Sequence, residues 1–535
     1  AIVACTPSPP AAHEGEGEGE GVSGEGEGVA GEGEGASGPI VEPGDPGPAD
    51  VVLTARFDTE RAPISALIYG DNGGGFANAT LERSGGNRLT AYNWENNASN
   101  AGTDYCNQND SSMGSASDPP ANAFSALLDD AQARGTSALI TVPMLDVVAA
   151  DTNDLGDGGQ GPPACIGDVE NSGPDYLHTR FVANQARKGA AFSDPPDASD
   201  GVVSEDEMIG YVNAHWPGVP LLVDLDNEPD LWSSTHVRIH PDPVTYDELV
   251  TRTIDFASAV KDASPSATVL GAVSYGYNGY ITLQDASDSS ADGDFIDYFL
   301  DRMQAEDTAE ARRIVDVLDL HWYPEATDDN GLRVSNVEDA QAADARVQAP
   351  RSLADASYAE TSWIVDDYLG GPIDLLHTLQ GQIDAHYPGT RLSFSEWNYG
   401  GGQDISGAVA VADVLGSFGR QGVFAATFFP LSDDEPYDVA ALALVHAGLG
   451  STSVHAETSD IARVSVYASD DPPAFLVIHR DDDDITASLA FAGPATASLT
   501  AHTLNASAIT PSTSTIAATA TNAFLVPLHG RSVVV

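Results

Sequence analysis

The stretch Leu221-Leu222-Val223-Asp224-Leu225-Asp226-Asn227-Glu228-Pro229 is a short apolar run that ends in polar and acidic residues. A run of this length, bounded by turn residues, is typical of a buried strand in a parallel sheet. Pro229 cannot continue the strand, so Glu228 is expected in the turn that follows it. The stretch therefore predicts a strand with chemically active side chains at its carboxyl end.

The sequence around this stretch, from about residue 66 to 430, alternates apolar runs with helical patterns. Apolar spacing of i, i+3, i+4, i+7 across Phe124–Ala131, before Gly135, predicts one helix, and the capping-box pattern Ser204-x-x-Glu207 predicts the start of another. Eight such units are typical of a (β/α)8 barrel, a TIM-like α/β fold. The predicted strands are Ala66–Gly70, Gly86–Ala91 (the weakest pattern), Ala138–Met144, Leu221–Asp226, Thr268–Ser274, Val315–Tyr323, Arg391–Glu396 and Val423–Phe429.

After about residue 455 the helical period disappears, and short strand-like runs follow, separated by Asp, Pro, Thr and Ser. This pattern predicts an additional β-sandwich or similar all-β domain. The early run Val51–Phe57 lies outside the barrel count and is expected to join it. The C-terminal runs are Arg463–Ala468, Ala474–His479, Ile485–Ala492, Ala497–Leu504 and Ala523–Leu528.

The first fifty residues read as a tether, because residues 14–35 repeat Glu-Gly and cannot bury enough apolar area to fold. Ala1-Ile2-Val3-Ala4-Cys5 resembles the end of a bacterial lipoprotein signal, in which the cysteine receives lipid; an ordinary secretory remnant is the alternative. Either reading predicts export, to the extracellular space or the cell surface. The predicted organisation is a disordered linker over 1–48, strands of the β-sandwich over 49–65, the barrel over 66–455 and the β-sandwich over 456–535.

The composition excludes several classes of protein. With 81 acidic against 22 basic residues the net charge is −59, which disfavours nucleic-acid binding. Gly-x-Ser-x-Gly, His-Glu-x-x-His and Gly-Lys-Ser/Thr motifs are absent from the sequence. We expect a monomer that requires no cofactor and has no catalytic metal. The acidic loops Asp151–Asp157 and Asp481–Asp484 could hold structural calcium, or could simply be solvated acidic segments. Cys106 and Cys165 are expected to form a disulfide if the protein is exported.

Two glutamates stand where a (β/α)8 barrel places its reactive groups, at the carboxyl ends of strands. Glu228 follows the predicted fourth strand, and Glu396 ends the seventh. Two carboxyls in one cleft suit glycosidic cleavage, in which one protonates the leaving oxygen and the other attacks the anomeric carbon. We therefore predict Glu228 as the acid/base and Glu396 as the nucleophile. Alternatively, either glutamate taken singly is a strand-end residue paired with Arg88 or Arg238.

Aromatic residues near the predicted strand ends fit the same chemistry, because sugar rings stack their C–H faces on aromatic rings. Asn227 is placed to hold a sugar 2-hydroxyl, and His321 to bond a carboxylate or a hydroxyl. Core packing is the alternative for the tryptophans, and a structural role is the alternative for His321. The predicted substrate-binding residues are Arg88, Asn93, Trp94, Asn227, Trp232, Tyr275, His321, Tyr323 and Trp397, with Trp322 and Tyr277 in the same regions.

Four longer motifs carry a family resemblance. They are RSGGNRLTAYNWENN over 83–97, DNEP over 226–229, DLHWYPEA over 319–326 and SEWNYGG over 395–401. Together they resemble the endoglucanases and xyloglucanases of glycoside hydrolase family 44, from about residue 50 to 535. The resemblance implies a TIM-like barrel joined to a β-sandwich, retention of anomeric configuration, and an endo-acting cleft for β-1,4-glucans such as xyloglucan or soluble cellulose. It also implies Glu228 as acid/base and Glu396 as nucleophile.

The sequence thus predicts an exported, lipid-anchored endo-β-1,4-glucanase with a β-glucan polysaccharide as its partner. A non-catalytic glycan-binding surface protein on the same barrel is the rival function, against which the two glutamates argue. A calcium-dependent adhesin is a third function.

Overall fold

Eight parallel strands close into a barrel in the computed structural model, which describes residues 39–73, 75–152 and 167–535. Each strand pairs in parallel with the next, and the eighth pairs with the first. The predicted barrel is confirmed. The strands, numbered β1 to β8, are Gly70–Asn72, Leu81–Ser84, Ser137–Val142, Leu221–Leu225, Thr268–Ser274, Val317–Trp322, Arg391–Trp397 and Ala425–Phe428.

Seven helices of ten residues or more accompany the strands in the described part of the chain. The helix predicted across Phe124–Ala131 is present and ends at Gly135, whose φ of 69° suits glycine. The helices, numbered α1 to α7, are Asn122–Arg134, Glu205–His215, Tyr246–Ala263, Phe295–Glu310, Leu375–His386, Ile405–Gln421 and Pro436–Gly448.

Helix α2 starts after Ser204 as predicted, but the capping box does not form. The Ser204 hydroxyl accepts a hydrogen bond from Gln185 Nε2 (3.0 Å) instead of capping the helix. The Glu207 carboxylate accepts hydrogen bonds from Lys188 Nζ (2.7 and 2.6 Å). Tertiary partners have replaced the local hydrogen bonds that the pattern predicts.

The first two barrel strands lie elsewhere than predicted. Ala66–Ile68 forms a 3₁₀ turn capped by the Ser65 hydroxyl, and the strand starts only at Gly70. The second strand is Leu81–Ser84, ahead of the predicted Gly86–Ala91, because the chain turns at Gly85 and Gly86 and then forms another 3₁₀ turn. The shift places Arg83, which was not selected from the sequence, at the carboxyl end of β2.

The barrel interior changes from apolar to ionic along its axis. Near the amino ends, six strands contribute an apolar layer that closes the floor. Above it the inward positions of β2, β4 and β6 carry Arg83, Asp224 and Asp319, which are almost fully buried. The apolar layer consists of Leu81, Leu139, Leu222, Leu270, Val317 and Ala425.

A second, mostly antiparallel sheet of ten strands is built from both ends of the described chain. Val51–Arg56 lies between Thr452–Thr458 and Ile485–Ala492, pairing antiparallel with the first and parallel with the second. The rings of Phe475 and Phe491, from opposite halves of the sheet, lie 5.0 Å apart, so the halves face each other as in a sandwich. In order, with Ala62–Pro63 also pairing with Thr452–Thr458, the strands are Ala508–Ala517, Ser498–Asn505, Ser532–Val534, Ala474–His479, Val464–Asp470, Thr452–Thr458, Val51–Arg56, Ile485–Ala492 and Ala523–Leu528.

Shorter elements occupy the loops at the carboxyl end of the barrel. Between β3 and α2 the chain forms a separate three-stranded sheet, which enlarges that loop. The shorter strands are Ser99–Asn100, Asn109–Asp110, Val147–Ala149, Phe181–Gln185 and Val202–Ser204, and the shorter helices are Tyr176–Thr179, Trp232–Thr235, Tyr277–Thr282, Ser289–Asp292 and Ala343–Gln348.

The predicted linker over 1–48 is too long at its C-terminal end. Val41 N donates to Gly493 O (2.8 Å) and Gly44 N to Thr521 O (2.7 Å), so residues 39–48 lie along the second sheet. Cys5 and Cys165 lie outside the described residues; Cys106 is disulfide-bonded. In the part of the chain that is described, none of the helices combines the length and hydrophobicity needed to cross a bilayer.

A buried ion pair joins the second sheet to the barrel and yields a test of stability. Arg480, directly after Ala474–His479, contacts Asp413 on α6, and both are almost fully buried. Arg480→Ala leaves the Asp413 carboxylate buried without its cation, so we expect the free energy of unfolding to fall by about 3–5 kcal/mol. Chemical denaturation measures the change. The control is Arg463→Ala, which breaks a partly exposed pair with Asp481. Equal losses in the two variants would contradict the expectation.

Candidate active site

Glu228 and Glu396 converge at the carboxyl ends of β4 and β7. One carboxylate oxygen of each and one ring nitrogen of His321 all lie within 4.8 Å of one another. The two glutamates are 8% and 5% exposed, so their carboxyls are largely shielded from water. The structure thus brings together the two residues that the strand-end argument selected.

The backbone at the end of β4 is bent to present Glu228. Its φ is 49°, in the left-handed region that a glutamate rarely adopts, and Pro229 starts a 3₁₀ turn directly after it. Glu228 N donates to Val273 O on β5 (3.0 Å), which holds the bend. The side chain then reaches His321, whose Nδ1 lies 2.8 Å from Glu228 Oε1. Strain of this kind clusters at functional sites.

The carboxylate of Glu396 accepts a hydrogen bond on each oxygen. Arg83 Nη1 donates to Oε1 (2.7 Å), and the Tyr323 hydroxyl donates to Oε2 (2.8 Å). His321 Nδ1 lies 3.5 Å from the same Oε2. Two fixed donors and a nearby imidazole favour the ionised carboxylate and define its orientation.

Arg83 connects the strands beneath the two glutamates. Besides Glu396, its guanidinium donates to Asp224 Oδ2 through Nε (2.6 Å) and to Asn227 Oδ1 through Nη2 (3.0 Å). The side chain is inaccessible to solvent. This residue was missed from the sequence because β2 was predicted at Gly86–Ala91, after Arg83.

The surroundings shift the two carboxyls in opposite directions. Burial raises the pKa of Glu228, the charge of Glu396 adds to this, and contact with His321 opposes it. Burial also disfavours charge on Glu396, but the positive charges of His321 and Arg83 and the hydrogen bonds from Arg83 and Tyr323 outweigh it and lower the pKa of Glu396. Burial disfavours charge on His321 too, yet both glutamates hold its pKa above the ordinary value. The arrangement therefore favours a protonated Glu228 beside an ionised Glu396.

Among the predicted ligands, the tryptophans do not face the cleft. Trp94, Trp232 and Trp397 are fully buried, and Trp322 is almost fully buried. None of the four therefore presents a ring face to a sugar. Trp94 packs 5.7 Å from Tyr211, and the other rings are likewise enclosed by neighbouring side chains. The prediction that the tryptophans stack on sugar rings is wrong for this structure. It failed because a tryptophan at a strand end and a tryptophan in the core look alike in sequence.

The polar residues predicted from the early motif already have partners within the protein. Arg88 pairs with Asp110, and Asn93 Nδ2 donates to Ala149 O (3.0 Å). Arg238 pairs with Asp168 (2.9 Å). The alternative that Arg88 or Arg238 pairs with Glu228 or Glu396 is therefore wrong, and substrate contacts by Arg88 and Asn93 stay predictions.

Four predicted residues do lie at the site. His321 and Tyr323 contact the glutamates, as described above. Asn227 is next to Glu228, but its Oδ1 already accepts from Arg83 and from Gly86 N (2.9 Å). Tyr275 is half-buried after β5, and its backbone N–H donates to Asp230 Oδ1 (3.1 Å), which holds it near the Glu228 turn. Sugar contacts by these residues stay predictions.

A partly exposed aromatic cluster lies beyond them, on the loops that follow β5 and β6. Tyr277 is 6.2 Å from Trp363 and 6.0 Å from Tyr368, centroid to centroid. Tyr368 is 47% exposed, and Trp363 is half-buried. Of the three, only Tyr277 was singled out from the sequence. Tyr368 lies in a π-helical turn, Ile364–Leu369, and Trp363 directly precedes it. The residue spacing of such a turn matches no amphipathic pattern, so the sequence does not reveal these two rings.

Glu228, His321 and Glu396 are also the set of described residues whose ligand atoms are close enough to share a metal ion. Arg83 already places a positive charge on Glu396, which favours proton chemistry at this position over a second cation. At the acidic loop Asp481–Asp484, three carboxylates contact basic side chains, those of Arg463, Arg531 and His529. The loop Asp151–Asp157 lies mostly outside the described residues, so structural calcium stays a prediction.

Comparisons with known proteins agree with this geometry. The sequence profile of glycoside hydrolase family 44 matches residues 98–326. Endoglucanase A of Paenibacillus lautus is 38% identical over 483 residues, which are 84% of this chain and 66% of that protein. The β-mannanase/endoglucanase A of Caldicellulosiruptor saccharolyticus is 37% identical over 464 residues, 78% of this chain and 33% of that protein. The chain thus spans about two thirds and one third of these relatives.

Solved structures extend the similarity to nearly the whole fold. A family 44 xyloglucanase from Paenibacillus polymyxa, solved with xyloglucan, superposes with a TM-score of 0.83 at 33% identity, covering 90% of this chain and 98% of that one. A family 44 endoglucanase from Clostridium thermocellum gives 0.81 at 34% identity with the same coverage. The chain belongs to glycoside hydrolase family 44.

The ionic layer predicts a pH-dependent stability defect. Arg83→Met leaves Asp224 and Glu396 buried without their cation, so we expect the free energy of unfolding at pH 7 to fall by about 3–5 kcal/mol. Because Arg83 lowers the pKa of Glu396, its contribution is present at neutral pH and lost as the carboxyls take up protons. The difference from the wild type should therefore shrink as pH is lowered, as measured by urea denaturation at several pH values. A constant difference would contradict this account.

Proposed function

We propose that the protein is a retaining endo-β-1,4-glucanase that hydrolyses β-glucans such as xyloglucan or soluble cellulose derivatives. The observation that carries the proposal is the pair Glu228 and Glu396, which lie together at the carboxyl end of the barrel but whose surroundings shift their pKa values in opposite directions. Glycosidic cleavage needs this combination of an acid and an anionic nucleophile. Membership of family 44, and the activities for which the similar endoglucanases and xyloglucanase are named, support the substrate class.

The first step forms a glycosyl-enzyme ester. A Glu396 carboxylate oxygen attacks the anomeric carbon, the glycosidic C–O bond breaks with its electron pair going to the leaving oxygen, and that oxygen takes the proton of Glu228. Arg83 and Tyr323 hold Glu396 for the attack. His321, between the carboxyls, stabilises the negative charge that moves from Glu396 to Glu228 during this step.

The second step releases the sugar. The ionised Glu228 removes a proton from water, the water oxygen bonds to the anomeric carbon, and the ester bond breaks to restore the Glu396 carboxylate. Formation of the ester removes the negative charge that raised the pKa of Glu228, so Glu228 becomes an effective base only after the first step. Two inversions give net retention.

The separation of the carboxyls supports retention over inversion. Their nearest ligand oxygens lie within 4.8 Å, close to the ~5–5.5 Å typical of retaining enzymes and well below the ~6.5–9.5 Å that leaves room for an attacking water. The same separation argues against a barrel that only binds glycans, since binding alone does not require two buried carboxyls so close together.

Recognition of a long polymer fits the aromatic cluster of Tyr277, Trp363 and Tyr368. These rings lie on the loops at the carboxyl end of the barrel, where the two glutamates also lie. Stacking of glucose C–H faces on partly exposed rings would hold sugar units some distance from the cleaved bond. We propose this cluster as a platform of an extended cleft, in place of the buried tryptophans.

We further propose that the protein acts outside the cytoplasm, attached through Cys5 if that residue is lipidated. A polysaccharide substrate is too large to enter a cell, and a disulfide at Cys106 fits an oxidising compartment.

The proposed chemistry is tested by measuring reducing ends released from xyloglucan and carboxymethylcellulose. We expect hydrolysis by the wild type, a fall of about 10²-fold or more for Glu228→Gln, and near-complete loss for Glu396→Gln. Binding of an oligosaccharide should persist in both variants, as measured by calorimetry. Binding without hydrolysis by the wild type would favour the non-catalytic glycan-binding function, and wild-type rates in both variants would reject the assignment.

Azide separates the two roles. With an aryl β-cellobioside that carries a good leaving group, azide should rescue Glu396→Gly and give a glycosyl azide of inverted configuration, because azide replaces the missing nucleophile. The matched variant Glu228→Ala should instead give a glycosyl azide of retained configuration, because azide then attacks the ester on Glu396. The same anomer from both variants would contradict the assignment.

The opposite pKa shifts predict a bell-shaped dependence of kcat/KM on pH. Activity should be lost on the acid side only below the ordinary glutamate value of 4.5, because the pKa of Glu396 is lowered. It should be lost on the alkaline side above that value, because the pKa of Glu228 is raised. Glu228→Gln, assayed with a substrate whose leaving group needs no proton, should lose the alkaline limb and keep the acid limb. A profile unchanged in this variant would contradict the role of Glu228.

A further inference from the structure

Strand β7 departs from the regular alternation of side chains before it reaches Glu396. Ser393 and Ser395 point into the barrel, where both hydroxyls donate to the Asp319 carboxylate. Phe394, between them, points outward and stacks on Phe418 of α6 (5.2 Å). In a regular strand Glu396 would follow Phe394 outward, away from Arg83. It lies inside the barrel instead, in contact with Arg83.

The departure is a β-bulge at Ser395. Against β6, Phe394 pairs with Leu320 and Glu396 with the next residue, His321, so Ser395 has no partner. Against β8, the register also shifts between Phe394 and Trp397. One extra residue in a strand turns the side chains that follow it to the other face. The bulge therefore explains why Glu396 points into the site and Trp397 into the core.

Side chains replace the missing ladder hydrogen bonds of Ser395. Its N–H donates to Asp319 Oδ1 (3.0 Å), and its hydroxyl donates to the other Asp319 oxygen. Its carbonyl accepts from Asn72 Nδ2 (2.9 Å) and from the Thr427 hydroxyl. All four residues are buried, so water cannot take over these hydrogen bonds.

We propose that Asp319 is a positioning residue for the nucleophile: with Asn72 and Thr427 it stabilises the bulge at Ser395 and so turns Glu396 towards the anomeric carbon. The inference rests on the proposed function, because its readout is the rate of hydrolysis. Asp319 touches no substrate in this scheme and acts through Ser393 and Ser395 of β7.

The carboxylate of Glu396 is linked to the same hydrogen bonds around Ser395 through Asn72 and Arg83. Asn72 Oδ1 accepts from Arg83 Nη1 (3.2 Å), and the same nitrogen donates to Glu396 (2.7 Å). Asn72 thus links the backbone before Glu396 to the guanidinium that orients its side chain. A loss of the bulge would therefore move both the Cα of Glu396 and the Arg83 guanidinium that holds its carboxylate. This is a larger effect than the loss of one hydrogen bond.

The experiment compares Asp319→Ala with Asp319→Asn on aryl β-cellobiosides. The amide oxygen introduced by Asp319→Asn still accepts from Ser395 N–H, so this conservative variant should recover most of the rate. Asp319→Ala should lower kcat by about 10²-fold, as expected for a misplaced reacting group, with KM and oligosaccharide binding nearly unchanged. The fall should be equal for 2,4-dinitrophenyl and phenyl leaving groups, because attack, and not proton donation, is impaired. A fall confined to the phenyl substrate would instead place the effect on Glu228 and overturn the inference.

Two further variants exclude a general loss of folding. Asp413→Asn removes an equally buried carboxylate on α6, outside the site, and should lower the melting temperature while kcat is retained. Thr427→Val removes one donor to the Ser395 carbonyl without changing side-chain shape, and should lower kcat by about three- to tenfold even if Asp319→Ala does not fold. Wild-type kcat in Thr427→Val, or in folded Asp319→Ala, overturns the inference. Absence of hydrolysis by the wild type overturns only the proposed function.

Discussion

The buried guanidinium of Arg83 is the interaction on which the catalytic end of the barrel depends. It joins β2 to Asp224 on β4, to Asn227 in the following turn and to Glu396 on β7, so three strands that are distant in sequence share one cation. Enclosing a charge at this depth is costly unless its hydrogen bonds are satisfied, and here all three nitrogens donate. The same contacts that offset this cost also fix where the carboxylate of Glu396 can lie. Stability and function are therefore coupled at one residue.

The layer around Arg83 has more acidic than basic side chains, and this excess affects the pKa values of its carboxyls. Arg83 and His321 face four buried carboxyls in the barrel interior. Burial raises the pKa of Asp224 to about 7 and the pKa of Asp319 above its ordinary value, so both release their protons at higher pH than exposed aspartates do. Of the four, only Glu396, which lies near both Arg83 and His321, has its pKa lowered. The four carboxyls are Asp224, Asp319, Glu228 and Glu396.

The sequence was most informative where one physical rule acts alone. Apolar runs placed six barrel strands, and the rule that reactive groups gather at carboxyl ends selected Glu228 and Glu396. The first two strands were misplaced because they are only three and four residues long, and Gly85 and Gly86 separate β2 from the apolar Leu89. A correct β2 would have shown Arg83 at a strand end. Burial of the tryptophans, the bulge at Ser395 and the Trp363 cluster depend on tertiary packing, which leaves no period in the sequence.

The second sheet has a consequence for how the chain reaches its native state. Val51–Arg56 forms its parallel pairing only with Ile485–Ala492, and Thr486 N donates to the Asp50 side chain across a separation of 436 residues. A polypeptide that leaves the ribosome or a translocation pore from its amino end must keep this early strand unpaired until all eight barrel strands have been made. Contacts between residues so far apart in sequence slow folding, and until they form the unpaired edge of a β-strand stays exposed. The charged, repetitive segment that precedes the strand would keep such nascent chains apart by mutual repulsion.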